Sequence, residues 1–112
     1  MNKLNHYRQI IQNIVTEHAQ YKQSHKEIER ILFLDFERDD YSLMSVEIKG
    51  IRRVKNLILH LRIYEGKIRI ECEKVQYEIT HNLLDAGIPK EDIVLAFHDP
   101  ETRAHIPGFA IA

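Results

Sequence analysis

From Arg52 to Glu73 the apolar residues fall at every second position on both sides of a single Glu65-Gly66 dipeptide. Leu57, Leu59, Leu61 and Ile63 alternate along the first arm, and Ile68, Ile70 and Cys72 along the second. Side chains of a strand point to its two faces in turn, so this pattern describes a β-hairpin with one aliphatic face. Setting Tyr64 opposite Lys67 brings Ile63 to Ile68, Leu61 to Ile70 and Leu59 to Cys72. A one-residue slip would put those aliphatics against Lys67 and Arg69, so burial selects the register. An even-numbered loop fits it, with Gly66 supplying a positive φ.

The remaining segments arrange themselves around this hairpin. Leu4, Tyr7, Ile10, Ile11, Ile14, Val15, His18 and Tyr21 recur at three- and four-residue steps. The spacing predicts an amphipathic helix from about Asn2 to Tyr21, capped by Asn2 or Asn5, with His18 packed or hydrogen-bonded on its stripe. Lys22-Gln23-Ser24-His25-Lys26 is a polar linker. A strand follows from Ile28 to Glu37, with Leu32, Leu34 and Phe36 on one side and Ile31 and Phe33 on the other. Apolar residues on both faces predict a central strand, or one whose second face is covered by a partner. Glu37 to Asp40 makes a turn, Tyr41 to Ile48 the next strand, and Lys49-Gly50 leads into the hairpin. A second helix is expected over Tyr77 to Ala86, ended by Gly87 in a left-handed conformation. Pro89 to Asp92 suits a helical turn, and Ile93 to Phe97 is a buried strand or extended core segment. The tail from His98 is expected to be irregular, held down by Phe109 and Ile111. The result is one α+β domain over residues 1–112. It comprises an N-terminal helix, a four-stranded antiparallel meander, a second helix and a short C-terminal apolar segment, with the helices covering one face of the sheet.

Charge narrows the function. The 112 residues carry a net charge of -1 with histidine neutral, which argues against direct nucleic-acid contact. Its distribution is uneven: Lys26 to Ile48 has three basic and seven acidic residues, and Lys49 to Lys74 has eight basic and three acidic. Either neighbouring strands compensate each other, or a bipolar surface docks a charged partner or a second copy of the chain. The single cysteine, Cys72, excludes an internal disulfide and reads as a buried thiol. No apolar run is long enough to span a membrane and no leader core begins the chain, so a cytoplasmic protein is expected.

On the polar face of the hairpin the same register sets His60 beside Glu71, Arg62 opposite Arg69 and Tyr64 opposite Lys67. Like charges directly across strands need an acidic answer. Catalytic constellations are thin. The seven histidines lack metal-ligand spacing, although His98, Asp99 and His105 lie close in sequence. Asp39 or Asp40 followed by Glu47-Ile48-Lys49 echoes the carboxylates and lysine of metal-dependent nucleases. Neither a nucleophile elbow nor a glycine-rich phosphate loop is present. No cofactor is called for.

Read together, the segments resemble the XisI family of cyanobacterial excision controlling factors. The resemblance rests on Tyr7-Arg8-Gln9-Ile10-Ile11, then Glu37-Arg38-Asp39 with Tyr41 and Leu43, then Gly50, Arg53 and His60. It continues through Gly66-Lys67-Ile68 with Ile70, Gly87-Ile88-Pro89-Lys90, Asp92-Ile93-Val94-Leu95 and Phe97, and ends on Arg103 and Gly108-Phe109-Ala110. The chain departs from the family's pattern at Ile51, where a tryptophan is usual, and at Glu73 to Glu78, the lead-in to the second helix. The resemblance implies a small, non-catalytic α+β accessory protein that controls excision of a DNA element alongside an XisH-type companion. On that reading Arg53, His60, Arg62, Arg69, Glu71, Arg103 and Phe109 carry the partner contacts. An internal salt bridge from Arg53 or Arg103 to the Glu37–Asp39 turn is the structural alternative. A nuclease built on Asp39, Asp40, Glu47 and Lys49 is the second functional reading, and direct DNA binding through the basic hairpin the third.

Overall fold

The expected hairpin is the middle of a five-stranded sheet. The computed structural model describes residues 2–20 and 28–112. The expected final helical residue Tyr21 and the linker Lys22–Lys26 lie outside them. Helix α1 spans Lys3–Ala19 and is capped by Asn2, whose side chain accepts a hydrogen bond from the Leu4 amide at 2.9 Å. Strands β1 (Ile28–Asp35), β2 (Asp40–Lys49), β3 (Arg52–Tyr64) and β4 (Lys67–Glu73) form the antiparallel meander. Helix α2 (Glu78–Asp85) follows, then a 3-10 turn (Lys90–Asp92), strand β5 (Ile93–Val94) and helix α3 (Pro100–Ala104).

The apolar segment after the second helix supplies more than filling for the core: β5 pairs parallel to β4 through Ile68 and Arg69 and makes the sheet mixed. α3 corrects the expectation of an irregular tail. Asp99 accepts from the Thr102 amide at 2.7 Å and Pro100 opens the helix, the usual division of labour at a helix start. Phe109 does anchor the tail, but Ile111 is 53% exposed. β1 is an edge strand, so its two apolar faces do not come from a central position.

The tip of the hairpin forms as its sequence predicts. Glu65 and Gly66 both have positive φ (52° and 79°), the pair of values a two-residue type I′ turn requires. Tyr64 meets Lys67, Arg62 meets Arg69 and Leu61 meets Ile70. Beyond Leu61 two bulges break the plain alternation. On β4, Leu61 pairs with Ile70 but His60 with Cys72, so Glu71 is the extra residue. On β3, Leu43 pairs with Leu59 but Met44 with Leu57, so Ile58 is extra. An inserted residue shifts every later side chain to the other face. Cys72 therefore sits opposite His60 rather than Leu59, only partly buried, and burial pushes its thiol pKa up. Leu57 leaves the aliphatic set and is 38% exposed.

The β4 bulge also brings Glu73 opposite Leu59, toward α2. Its carboxylate accepts hydrogen bonds from the amides of Tyr77 (3.1 Å) and Ile79 (2.9 Å) and from the Thr80 hydroxyl (3.3 Å). α2 has no cap from its own N-cap residue, so a strand residue satisfies its first amides. Replacing Glu73 with Ala is expected to cost about 1–2 kcal/mol, read as a lowered denaturation midpoint at unchanged slope.

α1 packs on β1 and β2, α2 on β4, and the two helices touch each other. They enclose Tyr41, Leu43, Leu59, Leu61, Ile63, Ile68 and Ile70 beneath Tyr7, Ile11, Val15, Ile79 and Leu83. Each fully buried aliphatic stabilises by about 1.5–3 kcal/mol relative to exposure. Two polar latches tie α1 to the rest. Asp92 receives the Tyr7 hydroxyl and the Lys3 ammonium, the latter at 2.8 Å. Asp39 receives Arg8 at 2.7 and 3.0 Å and the buried Tyr41 hydroxyl at 2.9 Å. His18, on the α1 stripe, lies 3.1 Å from the Asn82 side chain, as a hydrogen-bonded histidine should.

Candidate functional site

With α1 and α2 on one side, the second face of the sheet is left open among the described residues. Along it run Ile31 and Phe33 of β1, Met44 of β2 and Leu57 of β3, with Phe33 48% exposed. Beside this apolar strip lies a polar cluster from three strands. Arg62 and Arg69 face each other directly, the like-charge pairing expected from the register. The acidic answer is Glu71, which the bulge places between them: its Oε2 is 2.9 Å from Arg69 Nε and 3.4 Å from Arg62 Nη1. The Arg62 guanidinium also lies 5.6 Å from the centre of the half-exposed Tyr64 ring.

The expected pairing of His60 with Glu71 does not form. His60 Nε2 instead lies 2.6 Å from Asp40 Oδ1 on the neighbouring strand. The physical reason is again the bulge, which sets Cys72 across from His60 and turns Glu71 to the arginines. Charges within the cluster thus compensate across strands, two carboxylates against two guanidiniums. Ion pairs this exposed contribute about 0–1 kcal/mol each, so their effect is orientation more than stability.

Three of the expected contact residues lie elsewhere. Arg53 is exposed near the far end of β3, roughly 25–30 Å along the strand from Arg62. Arg103 sits on α3, donating to the His98 carbonyl at 3.1 Å. Phe109 packs against the helix-side core, with the Lys90 ammonium 5.4 Å from its ring centre. Neither Arg53 nor Arg103 bridges to the Glu37–Asp39 turn. Arg8 takes Asp39 and Arg38 takes Asp35.

The four nuclease candidates do not converge. Asp39 and Asp40 lie at the start of β2 and Glu47 and Lys49 at its end, roughly 20–30 Å apart. Asp39 is committed to Arg8, whose hydrogen bonds hold its carboxyl pKa below the ordinary value, and Asp40 to His60. In the tail, His98 Nε2 meets the Tyr77 hydroxyl at 3.2 Å while Asp99 caps α3. Among the described residues no three His, Cys, Asp or Glu side chains are grouped to hold a metal. A cleft of about 900 Å³ opens between α1, α2 and the sheet, lined in part by Ile14, His18, Arg30, Ile58 and Glu78. Sequence periodicity gave no sign of it, because the Ile58 bulge helps to form its floor.

The sequence model of the XisI protein matches residues 1–111. The chain belongs to the XisI family. Two solved structures show the same fold over 99% of this XisI chain and 100% of their own. One is the fdxN element excision controlling factor XisI from Anabaena variabilis ATCC 29413, at 38% identity and a TM-score of 0.87. The other is a XisI-like protein from the same organism, at 28% identity and a TM-score of 0.87. No curated protein matches the chain. Among its described residues no helix is long and apolar enough to cross a membrane.

Proposed function

We propose that this XisI chain is a non-catalytic accessory factor that controls excision of a DNA element, and that it acts by docking a protein companion of the XisH type on the open face of its sheet. The role in excision rests on family membership and on the 38% identical Anabaena protein, an excision controlling factor by name. The observation that favours a protein surface is the uncovered strip of Ile31, Phe33, Met44 and Leu57 beside the cross-braced Asp40, His60, Arg62, Arg69 and Glu71. Apolar area rimmed by ordered polar groups is the usual anatomy of a protein interface. Arg53 lies too far along β3 to belong to that centre, and Phe109 is engaged with the core.

Co-expression with an XisH-type companion and capture through a tag tests this. A stable complex is expected with the unaltered chain. Phe33→Arg is expected to weaken it about 30-fold or more, the equivalent of a 2 kcal/mol hot spot, and Arg62→Glu to weaken it as well. Failure of the purified proteins to associate, or a complex indifferent to both changes, refutes the proposal. Magnesium-dependent cleavage of plasmid DNA that vanishes in Glu47→Ala would install the nuclease reading in its place.

A further inference from the structure

The hairpin between β2 and β3 runs past its neighbours as a two-stranded ribbon. β1 reaches β2 only as far as Glu47, and β4 reaches β3 only as far as Leu59. Beyond Glu47, among the described residues, Ile48 and Lys49 meet only Arg53 and Arg52 across the ribbon. Gly50, with a φ of 64°, starts the two-residue turn and leaves Ile51 fully exposed at the apex. Lys49, Arg52, Arg53 and Lys55 are all exposed. Lys49 and Arg52 oppose each other directly, a like-charge pair that needs an acidic answer. Glu47 supplies part of it, 4.0 Å from the Lys49 ammonium. Among the described residues no carboxylate pairs with Arg52, Arg53 or Lys55, and Glu29, the next acidic residue in register, lies two strands from Lys55. The net charge of -1 conceals this ribbon, since the carboxylates of Asp35, Glu37, Asp39 and Asp40 offset it from the opposite end of the sheet.

From this geometry we infer that the β2–β3 ribbon binds duplex DNA by entering its major groove. The occupant follows from where the cations lie. By alternation from Met44 and Leu57, Arg53 and Lys55 fall on the open face of the sheet, and Lys49 and Arg52 on the helix side. A flat anionic surface, or one acidic patch on a protein, meets a single face of such a ribbon. A groove has a phosphate wall on each side, and the major groove, about 12 Å wide, admits a two-stranded ribbon. Each pair of cations then faces one wall. Ile51 at the apex reaches the base edges, where an apolar side chain can meet a thymine methyl group. Phosphate contacts of this kind set position and affinity without reading sequence. Arg53 is roughly 25–30 Å along β3 from Arg62, so the ribbon and the docking face lie at opposite ends of the molecule. This inference therefore stands apart from companion docking.

Fluorescence anisotropy of a short labelled DNA duplex, titrated with the purified chain alone at several salt concentrations, tests it. Four phosphate contacts at roughly 0.9 each predict a slope of log K against log salt of about −3 to −4. Changing Arg52 and Arg53 together to Ala should weaken binding about tenfold or more at low salt and make the slope shallower by about 2. Arg38→Ala, an equally exposed cation at the other end of β2, should change neither. Distamycin, which fills the minor groove, should not displace the chain, and a polyglutamate peptide should bind much more weakly than the duplex. If the double variant fails to fold, nuclear magnetic resonance decides: the Gly50 and Ile51 amides of the unaltered chain should shift as duplex is added. Absence of binding at low salt, an unchanged slope in the double variant, or an equal loss in Arg38→Ala would overturn the inference. So would displacement by distamycin, polyglutamate binding as tight as the duplex, or ribbon amides that do not move.

Discussion

Leu61→Ala is expected to cost about 3 kcal/mol, whereas Leu57→Ala stays within about 1 kcal/mol of the unaltered chain. Both leucines lie on β3 and both belong to the same alternating series in the sequence. Only the Ile58 bulge separates them. It leaves Leu61 wholly buried against Tyr41 and Ile70 while Leu57 is 38% exposed on the open face. Removing Leu61 leaves a cavity in a packed layer, and truncating Leu57 removes side chain that water already reaches. Equilibrium denaturation of the two variants gives the comparison. Equal losses would mean that β3 runs without a bulge at Ile58, with Leu57 on the buried face beside Leu59 and Leu61.

Asp39→Ala should be nearly as damaging, at about 2–3 kcal/mol and a melting temperature lowered by roughly 10 °C. Two effects combine. Asp39 has a φ of 52°, which Asn and Asp tolerate and alanine does not. Its carboxylate also receives the Tyr41 hydroxyl, which is wholly buried and would be left unpaired. Asp39→Asn keeps the backbone conformation and one acceptor, and should lose about half as much. The charge has its own signature in pH. Arg8 holds the Asp39 carboxyl below the usual carboxylate range. The latch therefore stabilises fully above the ordinary aspartate value, about 3.9, and its contribution is lost as pH falls through the lower folded value. Acid unfolding followed by circular dichroism should move to higher pH in Arg8→Ala and, by a similar amount, in Asp39→Asn. An unchanged acid limb would show that the ion pair adds nothing.

These two predictions mark where the sequence stops being readable. The turn half of the hairpin is legible because Glu65-Gly66 and the alternation from Leu61 to Ile70 agree on one register. The bulges are not, since an inserted residue such as Ile58 or Glu71 carries no composition of its own and leaves the apparent period intact. The Arg62–Arg69 opposition can be read from spacing, but its answer, Glu71, depends on the bulge. The Arg8–Asp39 latch joins residues 31 apart, a contact that only packing creates. α3 is different: Asp99-Pro100-Glu101 is a sound helix start, and the prolines and glycine around it mask the signal. For the open face, the two-sided apolar pattern of β1 is visible in the sequence, and the structure changes its meaning from a central strand to an edge strand.

The short strand β5 has a consequence for what the C-terminal segment protects. Ile93 and Val94 cover β4 at Ile68 and Arg69, the Phe97 amide takes the Ile70 carbonyl, and Ala110 in turn bonds Ile93. One border of the sheet is thus sealed by the chain's own C-terminal segment. A chain cut short before Ile93 would lose that seal and leave the outer amides and carbonyls of Ile68 to Ile70 open to another strand.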